Sequence, residues 1–285
     1  MTTFAVTAAS GRLGRLVVEA LLERGVAPGD VVALARTPAK LDDLAARGVR
    51  VRRADHAEPA TLGPALAGVD RLLLISGDAP GQRLAQHCNV VDAAVAAGVQ
   101  RLAYTSILRA GTTGNPLAPD HRATEEAIAA SGLAHTLLRN GWYTENYTDR
   151  LGQHLSTGEV VGSTRDGRVS AATRADYAAA AAAALLDDGA GDRVHELGGP
   201  AFTLAELAAT ITEVTGTPVA HRDLSTEEHV AHLRAAGLDE GTAGFVAALD
   251  ASTARGELHT TSEDLQRLIG RPATGLADAL RAARA

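Results

Sequence analysis

Lysine is nearly missing from this chain: of its 27 basic residues, Lys40 is the one lysine and all others are arginine. Any chemistry that needs a lysine at a fixed place must use Lys40 or be discarded. Cysteine is equally scarce. A lone Cys88 can form no intrachain disulfide and no cysteine-built metal site, so it reads as a packed thiol of a reduced, cytoplasmic protein, with no metal expected. Long apolar runs are absent too, since the longest, near Ala178 to Leu186, falls well below the ~18 residues of a membrane span. No basic flank and cleavage motif precedes the first β-branched run, so no signal peptide is expected. Excess positive charge is also missing. A net charge of −7 excludes the basic face needed for nucleic acid or an anionic membrane.

What is present is an ordinary globular composition, 46% apolar and 21% charged over 285 residues, enough for one α/β domain or a domain with a smaller lobe. Short β-branched runs alternate with helical patterns through the first half. The predicted strands are Thr3 to Thr7, Val31 to Ala35, Val49 to Arg53, Arg71 to Ser76, Arg101 to Thr105 and Ala134 to Leu138. Helical stretches fall near Gly14 to Arg24, Ala39 to Arg47, Ala60 to Leu66, Gln82 to Ala97 and Arg122 to Ala130. Right-handed crossovers between such strands wind a Rossmann-like, doubly wound parallel sheet.

Beyond it the pattern becomes helical, from Arg174 to Leu186, Ser225 to Ala236, Asp239 to Ala254 and Ser262 to Ile269, with one short strand at Val194 to Leu197. In "FTLAELAATITEVTG", Thr203 and Glu206 have capping-box spacing and Gly216 is a helix stop. Residues 1–150 are therefore expected to form the nucleotide-binding part. Residues 151–285 are expected to supply the remaining sheet elements and a small, mostly helical C-terminal lobe over the strand carboxyl ends, where substrates of open α/β sheets bind.

The opening stretch "FAVTAASGRLGRLVVEAL" runs from strand through a glycine turn into an amphipathic helix. Gly11 and Gly14 fit a G-x-x-G-x-x-G spacing, but Ala8 stands where the first glycine is expected. With Ala9, Ser10, Arg12 and Leu13 these residues would bring backbone N–H groups and a helix dipole to a pyrophosphate. After the second strand the ribose-reading position holds Arg36 rather than an acidic residue. Arg36, supported by Lys40 and Arg12, favours the 2′-phosphate of NADPH, against the alternative that it is a solvated strand-end residue. Asp55 would lie beside the adenine or cap a turn, and Ser76 and Gly77 would lie under the ribose and nicotinamide.

Alcohol-oxidising short-chain dehydrogenases commonly use a tyrosine with a lysine four residues later, which lowers the phenol's pKa. Four residues after Tyr104, Tyr143, Tyr147 and Tyr177 stand Leu108, Tyr147, Leu151 and Ala181, so no such dyad exists. A hydride transfer needing little acid or base help is what remains.

The segments "LAYTSILRA", "DHRATEEAIAASGLAHTLLRNGWYTENY", "SAATRADYAAAAAAAL" and "LIGRPATGLADAL" together resemble the NmrA-like family of atypical short-chain dehydrogenases, and within it the type 2 NAD(P)H:quinone oxidoreductases, over nearly the whole length. Two positions depart from the family pattern: Ala8 in the turn, and Glu126 where relatives often carry lysine. The resemblance implies NADPH-dependent reduction of a small-molecule quinone without flavin. A homodimer is compatible with it. Asn140, Trp142, Tyr143 and Asn146, after a strand's carboxyl end, would form an aromatic wall with amide donors for quinone oxygens, unless Trp142 and Tyr143 serve packing. His121, near the place of the usual active-site tyrosine, is the expected proton donor, although a lone loop histidine is more often structural. Asn140 and Tyr143 share the catalytic assignment. Tyr104 and Ser106 are expected to contact the nicotinamide, Tyr104 being equally suited to packing. The competing reading is a redox-sensing regulator that binds NADP(H) without turnover.

Overall fold

A computed structural model of the chain describes residues 1–77, 79 and 81–284. Nine strands are formed: β1 (Phe4–Val6), β2 (Val31–Ala35), β3 (Arg50–Arg53), β4 (Arg71–Leu74), β5 (Arg101–Ile107), β6 (Ala134–Asn140), β7 (Glu159–Gly162), β8 (Arg193–Leu197) and β9 (Ala220–Asp223). The helices are α1 (Arg12–Glu23), α2 (Asp42–Ala46), α3 (Leu62–Leu66), α4 (Arg83–Ala96), α5 (Ala118–Ala130), α6 (Glu145–Thr148), α7 (Leu151–Thr157), α8 (Arg174–Leu186), α9 (Leu204–Thr215), α10 (Thr226–Ala235), α11 (Glu240–Ala254), α12 (Asp264–Ile269) and α13 (Leu276–Arg284).

Seven strands make one parallel sheet in the order β3-β2-β1-β4-β5-β6-β8, the doubly wound arrangement that alternating strands and crossover helices dictate. Its central strands are buried on both faces, as their continuous Val, Leu and Ala runs require. One apolar core lies between the sheet and α1 and α8; another lies between the opposite face and α3, α4 and α5. The alanines of α8, with Ala178, Ala180, Ala181, Ala182 and Ala184 buried, allow that helix to lie close against α1. The edge strand β3 carries Arg50, Arg52 and Arg53, a charged rim unsuited to further strand pairing.

A third core, around Leu151, Val160, Phe202, Leu207 and Ile211, belongs to the C-terminal lobe. That lobe contains a two-stranded parallel sheet, β7 with β9, which the sequence pattern does not reveal. Both strands are four residues long and half exposed, too short for a period-2 signal. The capping box of Thr203 and Glu206 forms and Gly216 closes α9 at φ 74°, while Ser225 and Glu228 make a second box on α10. Helix α5 starts at Ala118 rather than Arg122, because Pro119 sits in its first turn, where a missing N–H is harmless.

Three neighbouring strands carry a polar row toward their carboxyl ends. Ser106 on β5 is in register with Arg139 on β6, and Arg139 with Glu196 on β8. From α5, Glu125 accepts two hydrogen bonds from Arg139, from Nη2 at 2.6 Å and Nε at 3.0 Å, and one from Ser106 Oγ at 2.5 Å. Arg139 Nη1 donates to Glu196 at 3.0 Å, and the second oxygen of Glu196 accepts the N–H of Arg109. The side chains of Glu125 and Arg139 are 8% and 20% exposed, so removing one partner leaves an uncompensated charge away from water. Glu125→Ala should therefore lower the unfolding free energy by about 3 kcal/mol, with Glu125→Gln milder. A denaturant midpoint indistinguishable from wild type would show that water replaces Glu125 without loss.

Candidate active site

The turn between β1 and α1 settles the question raised by Ala8. Its φ is +49°, the left-handed region that favours glycine, and its carbonyl accepts the Gly11 N–H at 2.8 Å. Ala9 N–H donates to Leu34 O at 2.9 Å, fastening the turn to β2. A Cβ on Gly14 would stand 2.3 Å from Ala8 O, and one on Gly11 3.1 Å from the same atom. Gly14 is thus required for helix-to-turn contact, whereas Ala8 tolerates its conformation at a cost of about 1 kcal/mol. No side chain caps α1. The N–H groups of Arg12, Leu13 and Gly14 have no intrahelical acceptor, Ser10, Gly11 and Arg12 form an exposed rim, and the Leu13 side chain is buried in the core. Such a helix start matches a pyrophosphate.

Arg36 is exposed immediately beyond β2, and Lys40 is exposed in the 3-10 turn Pro38–Leu41. Asp43 is held by Arg15 at 2.6 Å, and among the described residues no ion pair involves Arg36 or Lys40. Arg12 is instead paired with Asp149 at 2.5 Å, joining the turn to the segment before α7. Of the two readings of Asp55, the structure displays the turn cap: Oδ1 accepts the Ala57 N–H at 3.0 Å. Ser76 and Gly77 follow β4, their N–H groups donating to Thr105 Oγ1 at 2.9 Å and His87 Nε2 at 3.0 Å. Burial lowers the pKa of His87 to about 3, which keeps it neutral and able to accept.

Three of the expected site residues, Tyr104, Ser106 and His121, are buried. Tyr104 is 0% exposed, turned from β5 toward α5, with its hydroxyl 2.8 Å from His121 Nδ1 and its ring edge-on to His87. Burial raises its phenol pKa far above the ordinary value, and of the two readings of Tyr104 these surroundings favour packing. Ser106 points the same way, into Glu125. His121, on the buried face of α5, has its pKa lowered by desolvation to about 4, and its Nδ1 is engaged by the Tyr104 hydroxyl. The tyrosine, the serine and the histidine share one cause. Residues 104 and 106 alternate onto the sheet face covered by α4 and α5, and a strand buried along its whole length, as β5 is, carries no burial period that tells the two faces apart.

The residues after β6 do converge. Gly141 is hemmed in, since a Cβ there would lie 2.7 Å from Ser170 O and 3.0 Å from Tyr177 Oη. Asn140 is 6% exposed, and its Oδ1 is buried without a partner among the described residues. An orphan acceptor beside an aromatic wall fits a carboxamide N–H or a hydroxyl of a bound molecule. Tyr143 lies edge-on to Tyr177, with ring centroids 5.6 Å apart, and Arg174 stands over its ring at 4.9 Å. Arg174 also lies 3.9 Å from Glu145 and 3.8 Å from Asp149, and its backbone N–H donates to Glu145. Trp142 and Asn146 border a cavity of about 520 Å³ that extends among Tyr147, Leu233 and Leu249 into the lobe. Arg174, Glu145 and the lobe residues were not found from sequence, because their partners are distant in the chain and no local spacing marks them.

The turn, the unpaired cations and the orphan amide fit a dinucleotide carrying a 2′-phosphate, so the strained turn can be tested through it. Ala8→Gly should raise stability by about 1 kcal/mol and leave NADPH affinity little changed, since the strain is present with and without nucleotide. Gly14→Ala should abolish binding or folding, because Ala8 O cannot retreat without breaking the bond to Gly11. Titration of NADPH fluorescence and thermal unfolding read both outcomes; an Ala8→Gly variant weaker on both counts would remove strain as the property of this position.

The NAD(P)H-binding family model matches residues 8–188. Quinone oxidoreductase 2 of Escherichia coli is 45% identical over 277 residues, covering 97% of this chain and 96% of that protein. The crystal structure of an NADPH-dependent quinone oxidoreductase from E. coli complexed with NADPH superposes with a TM-score of 0.95 at 44% identity, covering 99% of this chain and 100% of the other. The Citrobacter sp. triphenylmethane reductase complexed with NADP(H) superposes with a TM-score of 0.93 at 38% identity, covering 99% and 100% of the two chains. The chain belongs to the NAD(P)H-binding, NmrA-like family of atypical short-chain dehydrogenases that includes the type 2 quinone oxidoreductases.

Proposed function

We propose that this protein reduces quinones with NADPH by hydride transfer without flavin, residues 1–150 holding the nucleotide and residues 151–285 contributing the acceptor lobe. The observation that carries the reading is the turn, an uncapped helix start with Arg36 and Lys40 unpaired among the described residues beside it; the segment after β6 adds Trp142 and Asn146 to the wall of a cavity of about 520 Å³. Full-length similarity to quinone oxidoreductase 2 supports it. Bound NADPH would supply the hydride. The N–H groups of Arg12, Leu13 and Gly14 would take the pyrophosphate, and Arg36 with Lys40 the 2′-phosphate. Asn140 Oδ1 would orient a carboxamide or a reduced acceptor, while Trp142 and Asn146 border the acceptor space.

The chemistry asks little else of the protein. A quinone gains aromaticity on reduction, so stacking it at the correct face and distance supplies much of the catalysis. This agrees with a site in which the tyrosines that line up with strands and helices are buried and cannot ionise near neutral pH. A cavity of this size beside Trp142 and Asn146 favours turnover over a sensing role, which needs no second ligand. The half-buried, unpaired Cys88 accords with a reducing compartment, the cytoplasm.

Quinone-dependent NADPH oxidation tests the reading: 1,4-benzoquinone or 1,4-naphthoquinone should accelerate the loss of absorbance manyfold over NADPH alone. Tight NADPH binding with no acceptor-dependent oxidation would identify a sensor instead. Arg36→Glu should weaken NADPH at least about tenfold while changing NADH little, the loss of a charge-assisted contact plus an added repulsion. Equal effects on the two nucleotides would remove Arg36 from the 2′-phosphate.

A further inference from the structure

Three residues remote in sequence meet at the wall of the lobe cavity. His229 is the one buried residue of α10, Asp250 comes from α11, and Ser163 follows β7. His229 Nδ1 lies 3.0 Å from Ser163 Oγ and 3.2 Å from Asp250 Oδ2, and the Ser163 N–H donates to that same Asp250 oxygen at 2.8 Å. Gly162 makes room for the carboxylate, since a Cβ there would stand 3.0 Å from Asp250 Oδ2 and 2.4 Å from Leu204 Cδ1. Because a carboxylate only accepts, Nδ1 carries the ring proton in the neutral tautomer and Nε2 is the free nitrogen. His229 and Asp250 both line the cavity, and Nε2 has no protein partner among the described residues. Simple anchoring of α10 would be served by a leucine at lower desolvation cost than a histidine and a carboxylate.

We propose that His229, oriented by Asp250 and Ser163, takes up a second proton on Nε2 and in that protonated form donates from Nε2 to an oxygen of the acceptor and supplies the proton that completes its reduction. The proposal rests on the quinone-reductase reading. Hydride from NADPH brings one hydrogen and two electrons to the quinone and leaves NADP⁺; the resulting hydroquinone monoanion takes the Nε2 proton, and neutral His229 is reprotonated from water. The sum is quinone, NADPH and H⁺ giving hydroquinone and NADP⁺.

The pH dependence has a definite sign. Burial lowers the pKa of His229 and His232 adds to that, while Asp250 opposes it. Asp250 is itself raised by burial and by Asp223. Tyr147, Arg150, His154 and Glu159 also border the cavity. The protonated donor therefore grows as pH falls, and kcat/KM for the quinone should rise from pH 8 toward pH 6.

In the full-length protein, His229→Asn replaces Nδ1 by an amide N–H that can still reach Asp250 and Ser163, and deletes Nε2. It should retain NADPH affinity while losing about 100-fold in kcat/KM for 1,4-naphthoquinone, together with the pH slope. His229→Gln, which returns a donor near Nε2 without a transferable proton, should recover KM but not kcat. His229→Asn with wild-type kcat/KM and an unchanged slope would overturn the proposal, as would loss of NADPH binding in both variants, which would make the residue a structural anchor. Wild-type protein that shows no quinone-dependent oxidation would overturn the functional reading and this proposal together, an outcome distinct from failure of the variants alone.

Discussion

The bidentate contact between Glu125 and Arg139 fixes more of this molecule than any other single interaction. It ties α5 to β6, reaches β5 through Ser106 and β8 through Glu196, and ends one residue before Asn140. The carboxylates hold the Arg139 guanidinium well above its ordinary pKa, so the charge persists at any pH the protein meets. Because the row runs across strands in register, it sets where β6 stops being a strand and the Asn140 to Tyr143 wall begins. Crowding around Gly141 then directs the chain under Ser170 and Leu197, and the wall faces the lobe.

The same contact explains why the familiar dehydrogenase chemistry is missing. On α5, His121 and Glu125 are four residues apart and both face the sheet. In a dehydrogenase built on a tyrosine and lysine, a pair spaced this way works as acid and cation. Here the first member is a neutral histidine bonded to buried Tyr104, and the second is an anion neutralised by Arg139. The helix has become part of the scaffold. Acid chemistry, where the reaction needs it, must come from across the cavity.

Much of the sheet was legible because its signals are local. β2 runs from Val31 to Ala35 as its apolar run predicts, and the strand order follows from crossover handedness. The phosphate turn was legible as a spacing, yet its conformation was not: alanine reports nothing of its φ, and only the fold shows that Ala8 is left-handed while Gly14 is the glycine demanded by contact. The burial of Tyr104 and His121 was not legible for a different reason. Both belong to elements buried on the relevant face, and β5 is buried along its whole length, so nothing in its sequence tells one face from the other. The short pair of β7 and β9 was invisible because each strand pairs with the other, about 60 residues away in register.

The strained alanine and the polar lobe bear on affinity at opposite ends of the site. Strain at Ala8 costs about 1 kcal/mol whether or not nucleotide is present, unless binding changes its φ. It therefore lowers the stability of the whole molecule more surely than it lowers affinity, and selection on binding alone would leave it in place. Polar groups on the cavity wall act differently. His229 and Asp250 are desolvated in the folded protein in either state, and a free Nε2 recovers part of that cost only when an acceptor oxygen or hydroxyl meets it. An acceptor that fills the apolar space but offers no such group leaves the penalty standing, so discrimination here comes from an unmet hydrogen bond rather than from shape.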